Sequence, residues 1–468
     1  MQCGIDLVAL RPSLLDDLGR VGVVSHQACA TLDGRPATDV VFAGCREAKG
    51  SRVTAVFGPQ HGYRQCEQDN MVETPDERYT FRSSGQTAVG DTTADVSVPL
   101  YSLYSERREP SPEQMEQVDT LVVDLPDIGC RIYTFMLTLA ACLRAANRSG
   151  KRVVVLDRPN PLGLSWQGKA DSKWRRVEGN ILDTKWHSFV GWYPIPLRHG
   201  LTLGELGNLF VRMDDLKQVV YSVVKVEGLR RKDSMRTMLR AGYASSFPFA
   251  SPNMPSWNSA LYFPAFVVLE ATNVSEGRGT TIPFQLVGAP YLDAQGCIGH
   301  LRQRQARNRA SAHASFNGVA MAEHHFRTTF NKHAGNISRG VRFSPTFQLP
   351  FFSRRDSSVG GEEDEEEEEE DANVFALGMH FLHYVVSRHA DAFKWRDPKQ
   401  GYEYNFEDPP LLLILGHERW WNLFEGLRTG AKKSEDGESE RELDACLQWA
   451  YDEAQRFAVE STHAHLYP

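Results

Sequence analysis

Four short apolar runs dominate the pattern of the first 160 residues. They are rich in β-branched side chains and apolar on both faces: Val21–Val24, Val53–Phe57, Leu121–Asp124 and Val153–Leu156. Strands of this kind lie in the middle of a sheet that is covered by helices on both faces. Because helical patterns separate the runs, they predict parallel strands joined by crossover helices. We therefore expect an α/β protein with a Rossmann-like, mostly parallel N-terminal sheet.

Helix signals lie between and after these runs. The stretch 111–114 (SPEQ) combines an N-cap serine, a proline at the first helical position and a capping-box glutamine. An apolar stripe predicts a second helix from about Ile132 to Arg148, and Gly150 is its stop signal. Thr202 and Glu205 form a capping box that predicts the start of a third helix.

The alternation weakens beyond about residue 225, where the chain becomes rich in aromatic residues and in Pro/Gly turns. This change predicts a smaller C-terminal α+β domain, with a boundary near residue 224. The predicted domains are residues 1–224 and residues 225–468. Three polar segments cannot bury enough apolar area to order themselves and are expected as surface insertions: 81–95, the acidic segment 354–373, and 431–440.

Charge and composition narrow the class of protein. The 468 residues carry a net charge of −8, but 362–371 are ten consecutive acids, and removing these ten negative charges leaves +2. A nearly neutral fold gives no reason to expect a nucleic-acid partner. The longest apolar run, Ala260–Leu269, is too short to span a bilayer, and the first residues lack the pattern of a signal peptide. No membrane partner is expected, and the predicted location is cytoplasmic.

Several cofactor motifs are missing from the sequence. The first strand is followed by residues 25–28 (SHQA) rather than by a Gly-x-Gly-x-x-Gly loop, and no Walker-type motif occurs. The eight cysteines include no Cys-x-x-Cys pair, which argues against a zinc ribbon. We therefore predict no nucleotide cofactor and no bound metal.

Polar clusters follow three of the predicted strands. Ligands of open parallel sheets bind at the carboxyl ends of the strands, so these clusters are the first place to look for a site. Each alone could be a turn or a helix cap. Together they offer carboxylates, amides, a histidine and guanidinium groups, which suit a polyhydroxylated or anionic ligand. The clusters are Gly58–Gly62 with Gln60 and His61, Asp124–Gly129 with Asp127 and the following Arg131 and Tyr133, and Asp157–Asn160 with Arg158.

Two further motifs come from the C-terminal part: 251–255 (SPNMP), which contains Asn253, and 272–281 (TNVSEGRGTT), which contains Asn273, Glu276 and Arg278. Neither has a run of apolar residues to pack. Glu276 is interpreted either as a cap or surface acid, or as a carboxylate that faces the cleft from the second domain.

Long segments of the chain resemble one known family. The segments FGPQHG, VPLYSLYS, VVDLPDIGCRIYTF, LDRPNPLG, IPLRHGLTLGEL, SPNMP and ATNVSEGRGTTIPF, in this order, closely resemble the NamZ-type exo-β-N-acetylmuramidases over about residues 4–425. The resemblance implies a peptidoglycan hexosaminidase that releases N-acetylmuramic acid from a non-reducing end. It also implies a Rossmann-like domain beside a smaller C-terminal domain.

The resemblance suggests roles for the clustered residues. The lactyl carboxylate of muramic acid needs a guanidinium partner, for which Arg131, Arg158 and Arg278 are candidates. Its acetamide and hydroxyls need amides, for which the candidates are Asn160, Asn253 and Asn273. Gln60, His61, Tyr133 and His199 complete the predicted substrate-binding set, and Asp124 and Asp127 would orient the sugar or polarise water.

One position departs from the family pattern. The Gly-Pro-x-His-Gly motif of the family often carries glutamate at x, whereas this chain has Gln60, and an amide cannot serve as a general acid. Glu73 and Glu276 are the predicted replacements, one as acid and the other as its partner. Two alternatives remain open: a non-catalytic amino-sugar or peptidoglycan-fragment binding protein that has lost the acid, and a metal hydrolase that uses His26, His61, Asp124 and Asp157.

Overall fold

The computed structural model describes most of the chain. The described residues are 1–68, 71–82, 95–104, 107–168, 172–233, 237–238, 250–346, 372–430 and 437–468. The predicted insertions at 81–95 and 354–373 lie largely outside these ranges. The third predicted insertion, 431–440, is described from Gly437, and its last residues begin a long helix at Glu438.

A seven-stranded sheet forms the centre of the N-terminal part. Its strand order is β3-β4-β2-β1-β5-β6-β9, and every neighbouring pair is parallel except the β3–β4 pair at one edge. The four predicted strands are β1, β2, β5 and β6, so their prediction is confirmed. The strands are β1 (Gly19–Val24), β2 (Ser51–Gly58), β3 (Glu77–Phe81), β4 (Val96–Ser102), β5 (Thr120–Val123), β6 (Arg152–Leu156) and β9 (Val220–Val224), with a separate small pair of β7 (Trp166–Gln167) and β8 (Trp174–Arg175).

The predicted helix signals are also found. Ser111 caps a helix of only four residues with its capping box intact, and Thr202 does the same for a longer one. The helix predicted from Ile132 begins later, at Phe135, and the residues just before it line a cavity; the helix ends at Gly150 with φ 60°. The helices of this part are α1 (Gly4–Leu10), α2 (Ala37–Glu47), α3 (Pro112–Met115), α4 (Phe135–Ser149) and α5 (Leu203–Met213).

The C-terminal part combines an antiparallel sheet with helices, as predicted. Its three strands, β10 (Leu286–Ala289), β11 (Val319–Arg327) and β12 (Ile337–Pro345), have the order β10-β12-β11. The helices are α6 (Trp257–Phe266), α7 (Ala294–Arg307), α8 (Val374–Arg388), α9 (Pro410–Leu415), α10 (Glu418–Thr429) and α11 (Glu438–Glu460). The domain boundary near residue 224 stays a prediction. Within the described residues, no helix is both long and apolar enough to cross a membrane.

The hydrophobic core continues from one part into the other. Side chains of α4 and of the α6 region belong to the same buried cluster. Tyr133, just before α4, packs edge-on against Phe263 of α6, with ring centroids 6.0 Å apart, and Phe263 packs against Phe284 at 4.8 Å. This shared apolar packing fixes the loops of the C-terminal part over the carboxyl ends of the sheet strands.

A buried ion pair joins the ends of β5 and β6. The guanidinium of Arg158 binds both oxygens of Asp124, with Nε–Oδ1 and Nη2–Oδ2 distances of 2.6 and 2.8 Å. Arg158 is 4% exposed and Asp124 is fully buried. Because each charge compensates the burial of the other, the loss of one partner would leave an unpaired charge in the core.

We predict that Arg158→Met destabilises the fold by about 3–5 kcal/mol, since it leaves the Asp124 carboxylate buried without its partner. Urea unfolding followed by circular dichroism measures the change. The matched control is Arg35→Met, whose partner Asp33 lies with it at the surface and whose loss should change the midpoint little. Equal stability losses in the two variants would contradict the assigned role of Arg158.

Candidate active site

A narrow cavity lies where the β2 loop meets the C-terminal part. Its volume is about 50 Å³. Its walls come from the turn after β2, the segment before α4, the segment 251–254 and a turn at 402–403. The polar residues that line it are Gln60, His61, Tyr133, Thr134, Ser251, Asn253, Glu270, Arg278, Tyr402 and Glu403.

The carboxyl group of Glu403 lies at the centre of the polar contacts in this cavity. Gln60 Nε2 donates to Glu403 Oε1 at 3.1 Å, and the Tyr104 hydroxyl donates to Glu403 Oε2 at 3.2 Å. Gln60 Nε2 also lies 3.2 Å from the Tyr104 oxygen, which in turn accepts the backbone N–H of Met71. Glu403 is therefore held by two donors from the N-terminal part, although it belongs to the C-terminal part.

The backbone presents Glu403 from a strained turn. Tyr402 and Asn405 exchange two backbone hydrogen bonds, at 2.8 and 3.0 Å, and the two residues between them have φ of 48° (Glu403) and 65° (Tyr404). A two-residue turn with positive φ at both central positions strongly favours Asn-Gly, and neither residue occurs here. Left-handed backbone at residues other than glycine costs free energy and clusters at functional sites. The turn thus indicates a functional requirement for Glu403.

Two further carboxylates lie beside Glu403 and are paired with cations. Glu270 accepts hydrogen bonds from Arg278 and, at 2.9 Å, from the Tyr402 hydroxyl. The Arg278 Nε atom lies 3.3 Å from Glu276 Oε1, and Lys332 Nζ lies 2.7 Å from Glu276 Oε2. Two carboxylates and two cations therefore alternate in one buried chain of contacts.

Glu403, Glu276 and His61 differ in their electrostatic surroundings. Burial raises the pKa of Glu403 above that of an ordinary glutamic acid, although the Arg108 guanidinium opposes the shift. The pKa of Glu276 is lowered, because Lys332 and Arg278 outweigh the opposing effect of burial. Burial, with a contribution from Arg278, lowers the pKa of His61 to about 4. The site thus places a carboxyl group whose pKa is raised near a carboxylate whose pKa is lowered.

A larger cavity of about 650 Å³ adjoins the narrow one. Glu270 and Arg278 line both cavities, so the two share a wall. This volume falls in the usual range for small-molecule sites, whereas the narrow cavity holds only a few waters. The remaining wall residues of the larger cavity are Met71, Thr272, Asn273, Glu276, Asn331, Lys332, Lys394, Trp395, Arg396, Asp397 and Gln400.

The structure brings together about half of the residues predicted from the sequence. Gln60, His61, Tyr133, Asn253 and Arg278 line the narrow cavity. Glu276 and Asn273 line the larger one. Asn253 also ties two walls together, since its Nδ2 donates to the Gln68 carbonyl at 2.7 Å. Asn273 also links separate segments of the chain. Its Nδ2 donates to the Ala392 carbonyl, and its Oδ1 accepts from the Tyr291 hydroxyl and from the Lys394 backbone N–H.

Three other predicted binding residues have partners within the fold. Arg131 is fully buried and donates to the carbonyls of Asn180, Ile195 and Ile414, so it ties distant loops together. Arg158 is engaged with Asp124 in the ion pair described above. Asn160 donates to Leu201 and accepts from Leu162, and it packs so closely on Gly129 that a Cβ at that glycine would lie 2.3 Å from the Asn160 oxygen.

The remaining predicted residues lie outside the cavity walls. Asp127 accepts the Gly129 N–H at 2.7 Å and lies 3.3 Å from the buried His199 ring. Glu73 is exposed. In the metal alternative, Asp124 is engaged with Arg158, and Asp157 accepts from Thr202, Gly204 and Tyr467. Across the described ranges, no group of three or more His, Cys, Asp or Glu side chains is arranged to hold a metal ion.

Comparison with known proteins identifies the family of the chain. The model named Exo-beta-N-acetylmuramidase NamZ, N-terminal, matches residues 21–258, and the corresponding C-terminal model matches residues 261–467. The chain belongs to the NamZ family. The peptidoglycan beta-N-acetylmuramidase NamZ of Bacillus subtilis (strain 168) is 35% identical to it over 351 residues, which cover 74% of this chain and 73% of that protein.

Solved structures support the same fold. Two DUF1343 family proteins from Bacteroides fragilis superpose with TM-scores of 0.69 and 0.58, each at 23% sequence identity. Each match covers all of this chain, with 99% of the first protein and 98% of the second. The resemblance to the NamZ family found in the sequence, and the two-domain α/β fold that it implied, are therefore confirmed.

Sequence reasoning missed Glu270, Tyr402 and Glu403 of this NamZ-family chain. Glu270 directly follows the apolar run Ala260–Leu269, which predicts only core. Tyr402 and Glu403 belong to the stretch 401–408 (GYEYNFED), in which Gly401 is the one turn signal before the strained positions. The run Tyr-Glu-Tyr directly after Gly401 is the signal that could have drawn attention to Glu403.

We predict that Glu276→Gln destabilises the fold at pH 7 and that this loss shrinks on acidification. Because the folded-state pKa of Glu276 is lowered, its ion pairs contribute stability above the unfolded pKa and lose it as the pH falls through the folded pKa. Urea unfolding at pH 7 and at several pH values below 4, which extend towards the lowered folded-state pKa, measures the difference. Lys332→Met and the double variant complete a double-mutant cycle, in which additive losses at pH 7 would contradict the pairing.

Proposed function

We propose that this chain is a glycoside hydrolase that releases β-linked N-acetylmuramic acid from the non-reducing end of peptidoglycan-type fragments. The observation that carries the proposal is the buried Glu403 carboxyl group at Gln60, in a cavity that it shares with the Glu270–Arg278 pair. Membership of the NamZ family supports the substrate class. Hydrolysis of this kind needs one acid to protonate the leaving oxygen and one carboxylate to stabilise a positive sugar.

Glu403 is the proposed general acid. A general acid must hold its proton near neutral pH, and burial raises the pKa of Glu403 in that direction. Gln60 stands where the family motif often has glutamate, and its amide donates to Glu403. The acidic function thus moves from the β2 loop to the opposite wall of the same cavity, and the amide positions it.

Glu270 is the proposed partner carboxylate. It lies in the walls of both cavities, so a sugar that spans them would have this group beside its ring. Arg278 and the Tyr402 hydroxyl orient its two oxygens separately. Charge that develops on the sugar ring in the transition state would meet a carboxylate that is already held in place. Glu276 and Lys332 anchor Arg278 and position the pair.

Gln60 also offers a free acceptor to the substrate. Its Oε1 atom is buried and has no hydrogen-bond partner among the described residues. A buried polar atom without a partner is costly, and a substrate N–H or O–H would satisfy it. An acetamide N–H is the matching group on N-acetylmuramic acid. His61, Tyr133 and Asn253 add polar atoms around the same cavity.

Incubation with a muramic-acid-terminated disaccharide and with a chromogenic muramide tests the activity. Release of the terminal sugar between pH 5 and 8 by the folded protein is the expected result. The alternative function is that of a binding protein without turnover. In that case calorimetry would show binding of N-acetylmuramic acid, and neither substrate would be cleaved. That outcome would overturn the hydrolase proposal.

We predict that Glu403→Gln lowers kcat on the disaccharide by about 10²- to 10⁴-fold, because the leaving oxygen then departs without a proton. On a nitrophenyl muramide the loss should be much smaller, since that leaving group needs no protonation. Glu407→Gln, an exposed acid in the same loop, is the matched control. Equal losses on both substrates would argue that Glu403 acts structurally and not as the acid.

We predict that Tyr104→Phe moves the alkaline limb of the pH–rate profile to higher pH. The Tyr104 hydroxyl donates to Glu403 and thereby lowers its pKa, so its removal lets Glu403 keep its proton to higher pH. The active form is the protonated one, and activity is lost as the pH rises through that pKa. The control, Tyr101→Phe, removes a surface hydroxyl from β4, three residues before Tyr104. If the alkaline limb of the pH–rate profile does not move in Tyr104→Phe, the group that titrates there is not Glu403.

A further inference from the structure

The segment 394–396 forms one side of the larger cavity and is fixed there by backbone hydrogen bonds. The Asn273 N–H donates to the Lys394 carbonyl at 2.9 Å, and the Arg396 N–H donates to the Ala271 carbonyl at 2.8 Å. The segment thus lies antiparallel to 271–273, directly after Glu270. Lys394, Trp395 and Arg396 all line the cavity that contains Glu270 and Arg278.

The charges in this wall do not cancel. Arg278 and Lys332 are matched by Glu270 and Glu276 in the chain of contacts described above. Within the part of the chain that the structure describes, Lys394 and Arg396 form no ion pair. Arg396 Nε is buried without a hydrogen-bond partner, and its guanidinium lies 5.8 Å from the centre of the Tyr402 ring. Asp397 is the one remaining acid of the wall, and it caps the N–H of Lys399 at 3.0 Å.

Trp395, which lies between the two cations in the sequence, also belongs to this wall and has a fixed indole ring. Its Nε1 donates to Glu425 Oε2 at 2.7 Å, and its ring packs edge-on against Phe393 at 4.7 Å and tilted against Trp421 at 5.6 Å. These contacts hold the indole in one orientation. A fixed aromatic ring with a few placed polar groups is typical of sites that bind amphipathic small molecules such as sugars.

We propose that Lys394 and Arg396 bind the lactyl carboxylate of a terminal N-acetylmuramic acid, with the sugar ring against Trp395. This inference rests on the proposed function and adds the residues that distinguish muramic acid from N-acetylglucosamine, which differ in the lactyl group. An anionic group satisfies the two cations that the protein leaves without an acidic partner. A sugar placed here lies beside Glu270, on the shared wall of the two cavities.

The first test measures binding of three monosaccharides to the full-length protein by calorimetry. We expect N-acetylmuramic acid to bind about 10- to 100-fold more tightly than its lactyl carboxamide and than N-acetylglucosamine, because both lack the carboxylate. A muramoyl dipeptide, whose lactyl group is amidated but which keeps a peptide carboxylate, separates the two sources of negative charge. Tighter binding of the dipeptide than of N-acetylmuramic acid would overturn the assignment in favour of the peptide.

The second test uses Arg396→Met and Lys394→Gln, with Lys399→Gln as the control, since Lys399 is exposed in the same loop outside the cavity wall. Either of the first two variants should weaken binding of N-acetylmuramic acid about tenfold or more and leave that of the carboxamide unchanged. Equal affinities of all variants for N-acetylmuramic acid would overturn the inference. The two proposals can fail separately. If the protein cleaves the disaccharide but does not prefer N-acetylmuramic acid, only this inference is wrong. If it binds N-acetylmuramic acid selectively but cleaves nothing, only the hydrolase proposal is wrong.

Discussion

Three carboxyl groups are buried within one small region, and that constraint organises the site. Carboxylates that share a dry site cannot all be ionised unless cations lie among them. Arg278 and Lys332 provide two such cations, and both bind Glu270 or Glu276 directly. Glu403 receives only neutral donors, from Gln60 and Tyr104. The uneven distribution of direct cation contacts therefore gives Glu403 and Glu276 pKa values shifted in opposite directions, and the proposed chemistry depends on this difference.

Much of the fold could be predicted from the sequence because its signals are local. The apolar runs that became β1, β2, β5 and β6 are each contained within a few residues, and so are the capping boxes at Ser111 and Thr202. The role of the polar clusters after these strands was ambiguous, because the partners of their side chains lie far away in the sequence. Arg158 and Asp124 are 34 residues apart, and Arg131 reaches a carbonyl 283 residues away. Nothing in the local pattern tells whether such a side chain meets a ligand or another part of the chain.

The candidate site was predictable at the strand-end loops and at the motifs 251–255 and 272–281, but not at the turn that carries Glu403. Gln60, His61 and Tyr133 follow strands, where ligands of such sheets bind, and they do line the narrow cavity. Glu403 lies 343 residues from its partner Gln60. It also lies in a turn that lacks the usual Asn-Gly sequence, so the residue types of the turn did not predict it. Local rules fail at this turn because the strain is compensated by tertiary contacts, such as that of Tyr402 with Glu270.

The hydrogen bonds around Glu403 also limit which of its oxygens can carry the proton. Oε1 accepts from the Gln60 amide, whose nitrogen can only donate, so the proton of the neutral acid belongs on Oε2. There it lies beside the Tyr104 hydroxyl, whose oxygen already accepts from the Met71 N–H and from the Gln60 amide. Both acceptor sites of this hydroxyl are thus in use, and its one hydrogen is donated to Glu403 Oε2. A glutamate at position 60 would instead place a second carboxyl group against Oε1, and one of the two would have to be protonated to avoid repulsion. Glutamine at position 60 and glutamate at position 403 are thus physically compatible, because the amide donates to the carboxyl group without bringing a second charge to it.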